Sequence, residues 1–145
     1  MTLLETTALV GYFLGIALHL FVFSVVAKRR RKKRLETALL CLLGFLIAWF
    51  SGNFLSLFLK QMDITRVGRL VKAADLLAYT ALACLPALLV HTHWIYYRST
   101  RSPFVWERRV MLPVIWLLYA PLAALPWLWR RLAEAPSGSP LPAVG

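Results

Sequence analysis

The sequence predicts an all-α fold: an integral membrane bundle of about four transmembrane helices with short loops and both termini outside. Three observations carry this reading. Hydrophobic residues make up 60% of the 145 and charged residues only 16%, with a mean hydropathy of +0.67, more apolar surface than a soluble domain can cover. The apolar residues fall into four runs, each long enough to cross a hydrocarbon core about 30 Å thick, which takes roughly 20 helical residues. The 17 Lys and Arg residues are gathered mainly between those runs, the arrangement that orients multi-pass proteins.

The first run, 6–27, is too long for the apolar part of a signal peptide. Its basic cluster follows it and no small-residue cleavage site appears, so it reads as a retained helix. Next come Lys28, Arg29, Arg30, Arg31, Lys32, Lys33 and Arg34, seven consecutive positive charges and the strongest orientation signal in the chain. This loop is expected on the cytoplasmic side of a bacterial inner membrane, with its charges against anionic lipid headgroups. The second run, 35–59, carries Ser51, Gly52, Asn53 and Ser56 and ends at Lys60. The third, 70–97, has Pro86 near its middle and closes on Trp94, Tyr96, Tyr97 and Arg98, an aromatic belt followed by charge. The fourth, 110–129, contains Pro113, Pro121 and Pro126 and leads out to Arg130 and Arg131.

With 28–34 and 98–109 both cytoplasmic, the inner loops hold eleven basic residues and the outer segments six. That asymmetry sets the orientation. The helices form one domain, 1–134, and 135–145 is a tail rich in Pro, Ser and Gly that would need a partner surface to be ordered.

The net charge of +11 invites a nucleic-acid reading, but the charges lack aromatic interleaving or a folded basic module, and no nucleic-acid partner is expected. Cys41 and Cys84 lie inside apolar runs with no motif spacing, so neither a disulfide framework nor a zinc site is expected. No helical zinc motif, carboxylate pair or nucleophile with its base is evident, and no enzyme is expected.

In lipid, small residues at four-residue spacing let helix backbones approach. Gly44, Ala48, Gly52 and Ser56 form such a row in the second helix. Gly11 and Gly15 form a GxxxG pair in the first, with His19 one turn on. These rows are expected to be packing seams, within the bundle or against another subunit. Asn53 is expected to join two helices by a hydrogen bond. Asp75 has Lys72 one turn away as a local ion-pair partner.

His19 and His91 fall at similar depth, and two facing imidazoles on neighbouring helices can hold a haem, while one can ligate a chlorophyll magnesium. They are the candidate pigment or haem ligands, set against plain hydrogen bonding inside the bundle. His93 stands about 200° from His91 around a helix and reads as an interfacial residue beside Trp94.

At Trp49-x-x-Gly52-Asn53-x-Leu55 and Leu85-Pro86-Ala87-Leu88-Leu89-Val90-His91, the chain resembles the N-terminal membrane-sensing region of some bacterial sensor histidine kinases, over about residues 36 to 97. Those regions have about seven helices ahead of a cytoplasmic kinase and serve as input domains. The matching positions are Asn53, Pro86 and His91. The departures are a run of only four helices and the lack of a phospho-accepting histidine box, nucleotide-binding motif or kinase core.

Taken together, these features lead to the expectation of a non-catalytic accessory or scaffold subunit packing laterally against other integral membrane subunits. A photosynthetic or respiratory assembly is the most concrete host, with bound lipid, carotenoid or chlorophyll between aromatic side chains. The alternative expectation is a sensor input domain working through the kink at Pro86.

Overall fold

The computed structural model describes residues 2–28, 34–62, 68–100 and 105–134. Every regular element among them is helical: α1 (Leu3–Ala27), α2 (Arg34–Gln61), α3 (Gly68–Thr100), α4 (Val105–Tyr119) and α5 (Leu125–Glu134), the last two joined by a 3-10 turn, Ala120–Ala124. Four stretches are long and apolar enough to cross a membrane: Leu3–Ala27, Arg34–Gln61, Gly68–Thr100 and Arg109–Arg131. The cluster Arg29 to Lys33, the connections 63–67 and 101–104, and the tail 135–145 lie outside the described residues.

The helices extend past the apolar runs into polar flanks. α1 starts earlier than hydropathy alone indicates because Thr2 caps it. The Thr2 hydroxyl accepts from the Glu5 amide at 3.3 Å and the Glu5 carboxylate accepts from the Thr2 amide at 2.8 Å. This reciprocal box satisfies amides that the first helical turn otherwise leaves unpaired.

The fourth span departs most from expectation. Instead of one helix over 110–129, α4 begins at Val105, gives way to the 3-10 turn at Ala120, and resumes as α5. Pro121 and Pro126 explain this, because neither can donate the amide that an α-helical turn needs at its position. Pro113 and Pro86, by contrast, sit inside continuous α4 and α3, each leaving a carbonyl of the preceding turn without its usual donor.

The helices pack in series. α2 lies against both α1 and α3, and α3 also carries α4, whereas α1 shares no substantial interface with α3. The core is thin. Among the described residues it holds Leu9 from α1, Leu42 and Leu43 from α2, a run of small residues from α3 including Ala74, Ala78, Ala81 and Ala87, and the larger Leu76, Leu85, Trp94 and Ile115. Big apolar side chains point outward instead: Leu14, Phe21, Trp116 and Leu117 are each at least 60% exposed. In water that distribution would be unstable; against lipid tails it costs nothing.

Candidate functional site

A close backbone approach between α2 and α3 is built on Gly52. A β-carbon there would stand 2.8 Å from the Ala74 carbonyl oxygen and 2.8 Å from the Ala78 amide nitrogen, so only hydrogen lets the two backbones come this near. One turn further along α2, Ser56 is 4% exposed and its hydroxyl donates to Asp75 Oδ1. One more turn brings Lys60, whose Nζ lies 3.5 Å from Asp75 Oδ2. The seam expected of the row Gly44, Ala48, Gly52 and Ser56 is therefore formed by its second half. Gly44 has no atom within 4 Å of where its β-carbon would lie, and Ala48 is half-buried. Asp75, read from sequence as a partner of Lys72 on its own helix, reaches across to two residues of α2.

Chemically this cluster is a clamp. A carboxylate is too weak a base to deprotonate a serine hydroxyl, and no imidazole stands between the two to do so. The contact ties α2 to α3 and leaves the hydroxyl as a donor.

The second seam joins α1 to α2. A β-carbon on Gly15 would meet the Phe50 ring at 2.6 Å, so the ring rests in the notch that this glycine leaves. Tyr12 and His19 flank it, with centroids 6.4 Å and 5.1 Å from that of Phe50. Gly11, the other half of the pair, has nothing within 4 Å. Asn53, expected to join two helices, gives its Nδ2 to the Trp49 carbonyl of its own helix at 2.8 Å. The carbonyl four residues back is the nearest acceptor a helical asparagine meets.

His19 makes a similar local bond, Nδ1 to the Gly15 carbonyl oxygen at 2.6 Å. With Nδ1 donating, Nε2 is the nitrogen left to accept a proton or a metal. His91 is half-buried on α3, and α1 and α3 are separate faces of the stack. The two histidines are thus not brought onto neighbouring helices of one chain. Among the described residues no group of three His, Cys, Asp or Glu side chains converges on a metal-sized position.

Two cavities open at the end of the bundle where α2 begins and α3 ends. One, about 380 Å³, lies between α3 and α4 and is lined by His93, Trp94, Tyr97, Glu107, Val110 and Met111. Trp94 and Tyr97 stack along its wall at 5.8 Å between centroids, and the Tyr97 hydroxyl donates to Glu107 at 3.4 Å. The other, about 550 Å³, lies between α2 and α3 and is lined by Arg34, Leu35, Ile95, Arg98 and Ser99. Sequence reasoning placed Arg34 and Arg98 on one side of the membrane but did not bring them to one groove. Arg34 and Arg98, each a described member of one of the two basic segments, line the same opening.

Comparison with protein-family models, with curated proteins and with solved structures finds no match.

Proposed function

We propose that this chain is a non-catalytic integral membrane subunit that packs laterally within a larger assembly of the bacterial inner membrane. The observation that carries the reading is the unequal use of its small-residue rows. Gly15 and Gly52 are filled by the chain's own helices, while Gly11 and Gly44 hold open notches with nothing within 4 Å. In lipid, such notches are where a further helix gains contacts, since close backbone approach and dispersion take the place of the hydrophobic drive. The serial packing adds to this, because α1 keeps most of its surface for lipid or neighbours, with Phe13, Leu14, Leu18 and Phe21 all exposed.

In this reading the residues 28–34 face the cytoplasm and anionic lipid. Other membrane subunits sit against the faces of Gly11 and Gly44. Pigment or haem, where the host assembly carries it, takes a single histidine of this chain, with His19 Nε2 the better-prepared ligand. The test is isolation of the tagged chain from its native membrane in mild detergent, followed by native mass spectrometry and an absorption spectrum. Recovery with other membrane subunits at fixed ratio is the expected result. A solitary, colourless, monodisperse chain overturns it.

A further inference from the structure

We infer that the groove between the start of α2 and the end of α3 is a binding site for one anionic phospholipid, its phosphate held by Arg34 and Arg98. The inference rests on the membrane-spanning part of the proposed function and on nothing else in it.

The groove, about 550 Å³, has Arg34 on one lip and Arg98 on the other, with Leu35 and Ile95 also in its lining. Both arginines are exposed, and among the described residues neither has a carboxylate partner. Two unpaired guanidiniums from separate helices, facing one opening, present planar donor forks suited to a phosphate oxygen pair. The Ser99 hydroxyl is already committed to the Tyr96 carbonyl at 2.7 Å, so the arginines carry the recognition. The opening also lies at the N-terminus of α2, whose first amides favour an anion. The last carbonyls of α3 act in the opposite sense, and Arg98 lies among them.

The apolar lining selects the source of the phosphate. Leu35 and Ile95 give a free ion nothing, but they offer an acyl chain a path from the headgroup towards the hydrocarbon. The groove sits where a headgroup sits, at the junction between the apolar part of each helix and its basic end. A basic residue near an anionic membrane surface contributes about fivefold in affinity, so the two together contribute about twenty-five-fold.

The test uses the full chain purified in detergent. Phosphatidylglycerol, phosphatidylcholine and inorganic phosphate are each titrated and followed by native mass spectrometry and thermal unfolding. Phosphatidylglycerol is expected to be retained as a single adduct and to raise the unfolding temperature, with phosphatidylcholine bound at least tenfold more weakly and phosphate without effect. The Arg34→Gln/Arg98→Gln double variant is expected to lose that preference, whereas Arg130→Gln keeps it. Equal retention of the two lipids by the wild-type chain overturns the inference whether or not the double variant folds. The same holds for stabilisation by phosphate alone. If the chain is recovered in the aqueous fraction without detergent, the membrane reading itself fails. A chain that needs detergent but shows no lipid preference defeats only the inference.

Discussion

A β-carbon on Gly52 would stand 2.8 Å from the backbone nitrogen of Ala78, so the α2–α3 contact is set by backbone atoms that cannot step aside. Gly52→Ala is expected to destabilise the bundle by about 1–3 kcal/mol, the usual range for overpacking a filled site. Gly15→Ala is expected to cost less, because its obstacle at 2.6 Å is the Phe50 side chain, which can turn. Gly44→Ala is expected to be neutral or stabilising in the isolated chain, since nothing lies within 4 Å and alanine favours helix by up to about 1 kcal/mol. Unfolding in mixed detergent micelles ranks the three.

Asp75 meets both Ser56 and Lys60, but the two contacts differ in weight. Lys60 is 56% exposed at its side chain, and exposed pairs contribute about 0–1 kcal/mol. Ser56 is buried, and losing its acceptor costs about 1–3 kcal/mol. Asp75→Ala is therefore expected to be clearly more damaging than Lys60→Ala. A double-mutant cycle should place most of the coupling on Ser56 and Asp75; a cycle showing coupling only to Lys60 contradicts this.

His19 gives its Nδ1 to the Gly15 carbonyl and lies against Phe50. His19→Phe keeps an aromatic ring at that place and loses one hydrogen bond, for an expected change of about 0.5–1.5 kcal/mol. Because α1 and α3 do not adjoin, the isolated chain incubated with haem is expected to give no six-coordinate, bis-histidine absorption spectrum. Appearance of that spectrum, and its loss in both His19→Leu and His91→Leu, would contradict the helix order.

Orientation is open to labelling. In a Cys41→Ser/Cys84→Ala background, a cysteine replacing the exposed Lys28 is expected to react with a membrane-impermeant maleimide only in inverted vesicles. One replacing the exposed Met62 is expected to react only in spheroplasts. The reverse pattern places the basic end outside and removes the charge asymmetry as its cause.

Pro121→Ala is expected to return an amide to the turn at Ala120–Ala124 and let α-helix propagate from α4 towards α5. Slower hydrogen exchange at residues 120–125 is the readout. Unchanged exchange assigns the 3-10 turn to packing rather than to proline.

The four helices long and apolar enough to cross a membrane were legible because a hydrocarbon core demands such helices and little else satisfies it. The seams were legible as faces but not as contacts. Four-residue spacing marks Gly44 as well as Gly52, yet packed helices cross at an angle, so only part of a row is pressed against its neighbour. Spacing identified Gly15 but not Phe50, which fills it from another helix. His19 and His91 could be placed at one depth by counting residues, while the order of helices around the bundle leaves no trace in such a count. Asn53 and Asp75 differ from the sequence pattern in opposite directions: Asn53 has its acceptor within its own helix at Trp49, whereas Asp75 meets Ser56, 19 positions away. The capping box at Thr2 and Glu5 follows from their three-residue spacing, a signal that hydropathy does not carry.

The length of α3 has a mechanical consequence. Its 33 residues rise about 50 Å, some 20 Å beyond what a typical acyl layer spans. In the proposed membrane setting the excess would either lean the helix steeply or carry its ends clear of the lipid, and the close contact at Gly52 would make α2 lean with it. In the membrane setting proposed above, a thicker acyl layer would stand the pair more upright, and a thinner one would press Leu70 and Tyr96 into the headgroups, so the width of the surroundings would set the tilt.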